Sequence, residues 1–289
     1  MTPPGGASGL DPAGRRDLSR AVDQLEAESF ALRLANYAGS PIHKVVRAIP
    51  AVNAAARRAV HSAMLRSLEV AIDSLEEEPY PPSGWLPKAM TGFTGGVGGL
   101  FGAAALAVEL PLTTTLMLRS IADIARHHGE NLSEIEPRLA CLEVFALGGR
   151  KAEVKDDLGY YAARAMFAKL SSDLISHLME RSVIEASAPV VTRLLSAVAS
   201  RFGVVISERA AATAVPVLGA LSGAALNMVF MDHFERVAHG HFTLRRLERI
   251  HGQGEIRDLF DEIAQSKRRA TPPPREKPPS VVGRSPRLS

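Results

Sequence analysis

Apolar positions along this chain recur mostly at the three- and four-residue spacing of an α-helix. The clearest example spans residues 51–75, where one apolar stripe runs along the segment and the charged residues fall off it. The stripe consists of Val52, Ala56, Val60, Met64, Leu68, Ile72 and Leu75. Period-two alternation is almost absent, so the pattern predicts an all-α multi-helix bundle.

Helix-breaking and capping residues divide the rest of the chain into further predicted helices. These cover residues 18–37, 111–128, 133–147, 157–180, 183–200, 232–251 and 255–265. Pro111 suits the first turn of its helix, whereas Gly129, Gly148 and Gly252 each follow a helix end. The stretch 201–206 is compatible with a helix or an extended piece, and Ser207 is a candidate N-cap.

The ends of the chain differ in composition from its middle. Residues 1–18 are rich in Gly and Pro and are predicted to be disordered, and the basic, Pro-rich residues 267–289 are predicted to form a disordered tail. Residues 19–266 then form the helical domain.

Two apolar segments interrupted by Gly and Pro, residues 95–118 and 211–231, stand out within that domain. Their glycines recur four residues apart, which on a helix leaves a groove where another backbone can approach closely. The glycines with this predicted packing role are Gly95, Gly98, Gly99, Gly102, Gly219 and Gly223. We expect a glycine-zipper arrangement in which the two helices pack centrally.

The same segments raise the question of membrane insertion. Each is about long enough to cross a bilayer, but Glu109 costs about 2.5–3.5 kcal/mol near the bilayer centre, and Pro216 and Asn227 also oppose insertion. Burial in a soluble core and contact with lipid therefore both remain open. A nucleotide loop is excluded, because Phe101 occupies the position of the third glycine of a dinucleotide fingerprint.

Polar residues in apolar surroundings give a weaker set of candidates. Arg119 and Asp123, like Asp232 and Arg236, are one helical turn apart and could form ion pairs. A catalytic pocket between the Gly-rich helices is the alternative interpretation. Its candidate members are Glu109, Arg119, Asp123, His233 and His241. The histidine spacing matches no zinc motif, so we expect neither a metal nor another cofactor.

The charge of the chain is unevenly distributed. The net charge is +3, yet seven basic residues and one acidic residue follow position 266, so the preceding part is net negative. This distribution argues against nucleic acid as a partner. Attraction to an anion or to lipid is expected at the tail residues Lys267, Arg268, Arg269 and Arg275. No secretory signal is recognisable, and we expect a location in the cytoplasm or at the inner face of the cell membrane.

Four blocks of this chain, in order, resemble the EcsC protein family of bacteria. They are "GLFGAAALAVELPLTTTLMLRSIADIARHHGE", "RLACLEVFALGG", "VPVLGALSGAALN" and "FERVAHGHFTLRRLERIHG". The family is named after a protein encoded beside an ABC transporter. The resemblance assigns no catalytic residues, although Glu143 and His241 are among the recognisable motif positions.

The resulting hypothesis is a non-enzymatic, membrane-associated accessory or scaffold protein linked to an ABC transporter or an envelope process. Its expected partner is the membrane surface or a membrane protein complex, and the sequence does not indicate an oligomeric state. A hydrolase-type enzyme using the Glu/Arg/His pocket and a helical bundle that binds lipid or a small ligand are the two alternatives.

Overall fold

The computed structural model describes residues 9–26, 30, 33, 103–149, 159–180, 184–214 and 223–270. This part of the chain contains seven α-helices and no strands, which confirms the predicted all-α class. The helices are α1 (Pro12–Leu25), α2 (Ala103–His127), α3 (Ile135–Leu147), α4 (Tyr160–Glu180), α5 (Ile184–Ala214), α6 (Gly223–His251) and α7 (Gln253–Ala270).

The first and last of these helices extend into the predicted disordered ends. Helix α1 begins at Pro12 rather than Leu18, because the side chain of Asp11 caps it by accepting a 2.7 Å hydrogen bond from the Gly14 amide. Helix α7 continues to Ala270, since apolar residues at helical spacing, including Ile256 and Phe260, bury one face of it. Helical structure therefore extends to Pro12 at one end of the described part and to Ala270 at the other.

Two local predictions about helix starts were wrong. Helix α2 begins at Ala103, so Pro111 lies inside the helix and not in its first turn. Helix α5 runs without a break through residues 201–214, so Ser207 is an interior residue and not an N-cap. In both cases the predicted start marker lies within a longer helix, so a single local capping signal does not fix where a helix begins.

The predicted helix ends agree better with the structure. Gly129 and Gly252 have positive φ angles of 82° and 93°, a conformation that favours glycine, and each follows a helix. Helix α3 ends at Leu147, with Gly148 at its C-cap.

Helix α6 is the central element of the described bundle. It contacts α1, α2, α3 and α7, while α3 also packs on α4 and α5. At the junction of α3, α5 and α6, the rings of Phe145, Phe202, Phe230 and Phe234 contact one another, with centroid separations from 4.7 to 6.0 Å. Cys141 is fully buried in α3, and burial raises its pKa to about 12, as expected for a core residue.

The glycine-zipper prediction falls mostly on residues that the structure does not describe. Gly95, Gly98, Gly99, Gly102 and Gly219 lie outside the described residues, as does the predicted helix at 51–75. Gly223 is the first residue of α6. The central packing of the two Gly-rich segments therefore stays a prediction.

Candidate functional site

A buried polar cluster links α3, α4 and α6. Glu143 on α3 is 6% exposed, and its Oε1 accepts a 3.3 Å hydrogen bond from the Ser171 hydroxyl on α4. Its Oε2 lies 4.0 Å from Nε2 of His241, a fully buried residue of α6. The second ring nitrogen of His241, Nδ1, is 2.9 Å from the Tyr160 hydroxyl. These four side chains form the Glu143 cluster.

Burial shifts the pKa values of the titratable groups in this cluster toward their neutral forms. Burial raises the pKa of Glu143 to about 7, although Arg164, Arg245 and the Ser171 hydrogen bond oppose the shift. Burial, followed by the charges of Arg164 and Arg245, lowers the pKa of His241 well below its usual value. His241 is therefore neutral at pH 7, whereas Glu143 is close to its titration midpoint.

The tautomer of His241 follows from its partner. The pKa of Tyr160 is raised by burial, so its hydroxyl keeps its proton and can donate to Nδ1. Nε2 then carries the imidazole proton and faces Glu143. Within the described part of the chain, Nε2 has no hydrogen-bond partner, since 4.0 Å is too long for one. A fully buried donor without a partner is uncommon and costly.

Three arginines surround the Glu143 cluster. Arg164 on α4 pairs with Glu248 at 2.7 Å, and the Tyr161 hydroxyl donates to the same carboxylate at 3.1 Å. The guanidinium of Arg245 on α6 donates hydrogen bonds to both Glu130 and Glu136, and the shortest distance to each carboxylate is 2.8 Å. Both guanidinium groups are therefore anchored, with side chains 13% and 12% exposed, respectively.

The third arginine belongs to α7 and is held differently. The guanidinium of Arg257 lies 5.6 Å above the ring of Tyr161, a cation–π arrangement. Among the residues that the structure describes, no carboxylate forms an ion pair with it. Within the described part of the chain, Arg257 is thus an exposed cation with a ring contact in place of an ion pair, beside two arginines that have carboxylate partners.

These groups line a pocket of about 300 Å³ between α3, α4, α6 and α7. Its described walls include Glu136, Glu143, Tyr161, Arg164, Ala165, Ala168, Ser171, Ser172, Ile175, Ser176, Arg245, Gln253 and Arg257. The volume is at the lower end of the range for small-molecule sites, and the walls combine apolar side chains with a few convergent polar groups. We call this the α4 pocket.

The residues predicted from sequence as a catalytic set have separate partners. Asp123 pairs with Arg126 at 2.9 Å, with Arg119 acting on it through its charge, so the predicted Arg119–Asp123 pair is replaced. Asp232 pairs with Arg33 at 2.5 Å rather than with Arg236. The side chain of Glu109 lies outside the described residues.

The two candidate histidines also differ in their surroundings. His233 Nε2 is 2.9 Å from the carbonyl oxygen of Gly148, and burial lowers the pKa of His233 to about 4. His233 and His241 are two turns apart on α6, about 12 Å along the helix axis. Of the five candidates, His241 is the one that belongs to the Glu143 cluster. No group of three or more potential metal ligands occurs among the described residues.

Two of the predicted anion contacts of the tail are bound within the protein. Lys267 donates to Asp23 at 2.5 Å and to the carbonyl oxygen of Ser19, and Arg268 pairs with Glu26 at 2.6 Å. Arg269 is exposed near the end of α7, and Arg275 lies outside the described residues.

The sequence did contain one signal for the site that the candidate set missed. Glu143 interrupts the otherwise apolar run 139–147, and a carboxylate inside a buried helix needs a reason. The residues that surround it, Ser171, His241 and the arginines, are distant from it in sequence. Their contribution therefore became visible only in the folded chain.

The fold and site define an all-α bundle with a polar, arginine-lined pocket beside its core. The chain belongs to the EcsC protein family, whose model matches residues 40–247. This match confirms the resemblance seen in the sequence. Neither the comparison with curated proteins nor that with solved structures gives a match.

Proposed function

We propose that this member of the EcsC family is a non-enzymatic accessory or scaffold protein that acts at a membrane surface, in support of a transporter or an envelope process. The observation that carries the proposal is the apolar segment Pro189–Ile206 of α5. It has a mean hydropathy of 1.5 over 18 residues, and only 39% of it is buried inside the protein. Within the described residues it is the one helical segment apolar and long enough to cross a membrane.

The distribution of buried and exposed residues along this segment favours contact with a membrane surface over a full crossing. The exposed positions of α5 include Arg193 and Ser200, while Leu194, Leu195 and Val198 are buried in the core. The half-buried residues Val190, Val191 and Val204 are apolar side chains of α5 that remain accessible, and accessible apolar side chains beside a basic residue can lie in the membrane interface.

Polar residues that the sequence suggested for catalysis or ion pairing form structural contacts, which supports a non-enzymatic role. Asp123, Asp232 and His233 each contact a fixed partner that ties one helix turn or one element to another. Such contacts are typical of residues that determine helix packing.

Flotation of the purified full chain with vesicles tests the proposal. We expect the protein to float with vesicles of phosphatidylcholine and phosphatidylglycerol. Val204→Asp, at a half-buried apolar position of α5, should reduce flotation, because a carboxylate at a lipid-facing site is costly to desolvate. Gln265→Glu adds the same charge at an exposed position of α7 and serves as the matched control. Wild-type protein that stays in the soluble fraction at all lipid compositions would refute membrane association.

A further inference from the structure

We propose that the α4 pocket binds the phosphate group of a small phosphate ester, with Arg257 as its principal cation. Binding of a phosphate ester by the α4 pocket does not require membrane association, because the pocket residues alone supply the contacts.

Hydrogen-bond donors line much of the pocket. They are three guanidinium groups and the hydroxyls of Ser172 and Ser176, while a third hydroxyl, that of Ser171, already donates to Glu143. A carboxylate offers two acceptor oxygens, whereas a phosphate monoester offers three, and guanidinium groups recognise both in a bidentate manner. The number of donors in the pocket therefore favours a phosphate.

The charges of the three arginines in the pocket also favour an anionic ligand. Arg164 and Arg245 have their carboxylate partners in Glu248, Glu130 and Glu136. Arg257 has the face of Tyr161 as its partner, which leaves its positive charge available at the pocket. An incoming anion could pair with Arg257 without breaking an existing ion pair. The apolar side chains of Ala165, Ala168 and Ile175 form the wall that would contact the organic part of the ester.

Glu143 lies in the wall of the same pocket. Its carboxyl group faces Glu136 from its own helix, Arg164, Tyr160 and Ser171 from α4, and His241 and Arg245 from α6, with Arg257 across the pocket on α7. An ionised Glu143 would repel a phosphate, whereas a protonated Glu143 could donate a hydrogen bond to it. Binding of the ester should therefore be accompanied by uptake of a proton.

His241 gives the ionised form of Glu143 an alternative position. Its buried Nε2 lacks a partner, and a movement of the Glu143 carboxylate by about 1 Å would bring the two within hydrogen-bond distance. The ionised carboxylate is thus drawn toward the histidine, and the protonated carboxyl is free to face the pocket. His241 acts here as a positioning residue.

Isothermal titration of the full chain with glycerol 3-phosphate and with sulfate, at constant ionic strength, tests the proposal. Sulfate keeps its charge between about pH 6 and pH 8, so any change of its affinity in that range comes from the protein. We expect both probes to bind, and sulfate to bind more tightly near pH 6 than near pH 8. Arg257→Gln should weaken binding by about tenfold or more. Arg269→Gln, an exposed arginine of the same helix, is the matched control and should change affinity by less than about twofold.

Glu143→Gln separates the role of protonation from that of the arginines. The amide has the shape of the acid but cannot ionise, so this variant should bind sulfate equally well at both pH values. Absence of measurable binding of both probes would overturn the proposal, as would equal loss of affinity in the Arg257 and Arg269 variants. Wild-type affinity for sulfate that is the same at both pH values would overturn the role of Glu143.

Vesicles of phosphatidylcholine with and without phosphatidic acid identify the source of the phosphate ester. Binding to phosphatidic acid that is lost in Arg257→Gln indicates a lipid headgroup. Binding of the soluble ester alone indicates a soluble metabolite. Both outcomes support the phosphate-ester chemistry of the pocket.

Discussion

Glu143 carries its acidic group in an interior that favours the neutral form. Its pKa in the folded chain is about 7, compared with 4.5 in an unfolded one. Because the folded-state pKa is the higher, the stabilising contribution is complete below about pH 4.5 and is lost as the pH rises through 7. The shift corresponds to about 3 kcal/mol of stability lost at alkaline pH. A side chain with this effect is expected where function outweighs stability.

Replacement of this residue gives a direct prediction. Glu143→Gln should raise the free energy of unfolding relative to wild type near pH 8 and have little effect near pH 4.5, because Gln does not ionise. Urea denaturation followed by circular dichroism at the two pH values measures the difference. Equal effects at both pH values would mean that ionisation of Glu143 does not oppose folding.

Gly149 shows a different residue-scale constraint, the close approach of two backbones. A Cβ atom added there would lie 2.3 Å from the carbonyl oxygen of Arg201, and that oxygen cannot move aside as a side chain would. We expect Gly149→Ala to destabilise the protein by about 1–3 kcal/mol. Gly254→Ala, in α7, meets nothing within 4 Å and should stabilise the helix by about 0.5–1 kcal/mol. Thermal unfolding of the two variants should shift in opposite directions.

At the scale of elements, α1 is an integral part of the helical domain. Leu18, Ala21 and Val22 are at most 1% exposed, and Arg246 of α6 pairs with Asp17 at 2.7 Å. At the crossing, a Cβ atom on Gly240 would lie 2.7 Å from Cγ of Leu25, so the helices approach closely there. The ion pairs of Lys267 and Arg268 join α7 to the same helix.

The docking of α1 can be tested with one core and one surface substitution. Leu18→Ala leaves a cavity in a fully buried site and should lower the free energy of unfolding by about 2–4 kcal/mol. Arg15→Ala changes an exposed position of the same helix and should stay within about 0.5 kcal/mol of wild type. If α1 were not packed on the domain, the two variants would have the same stability.

At the scale of the whole molecule, buried histidines and Glu143 both contribute to the dependence of stability on pH. The pKa of His233 is about 4 in the folded chain, against 6.5 when unfolded, because the ring is buried. Its folded-state pKa is the lower, so its stabilising contribution is present above pH 6.5 and is lost as the pH falls toward 4. His241 acts in the same direction, and Glu143 acts in the opposite one.

These groups therefore predict that stability rises between about pH 4 and pH 6.5, where Glu143 partly offsets the histidines, and changes little between about pH 7 and pH 8.5. Denaturation profiles measured between about pH 4.5 and pH 8.5 should show it. His233→Gln should make the acid limb less steep, because the Gln amide can still donate to the Gly148 carbonyl oxygen but does not take up a proton. An acid limb of unchanged slope in this variant would show that another group controls the loss.

Much of the helical framework could be predicted because it depends on neighbours in sequence. The apolar rows of α4 and α5 and the stops at Gly129, Gly148 and Gly252 follow from local spacing and backbone preference. The family was also recognisable from blocks of sequence, and the family match confirms it. Predicted helix starts failed at Pro111 and Ser207, which lie inside longer helices, and at α1, where the Asp11 cap and Pro12 were not recognised as a helix start.

The candidate site required the tertiary structure. Sequence alone determined an all-α chain of a particular family, with polar residues placed in apolar helices, because periodicity and composition are properties of contiguous segments. Only the fold decided that Glu143 meets Ser171, His241 and the arginines, since these residues are separated by up to about a hundred positions and are joined by helix packing. The low polarity of the interior then shifts their protonation, which no single segment encodes.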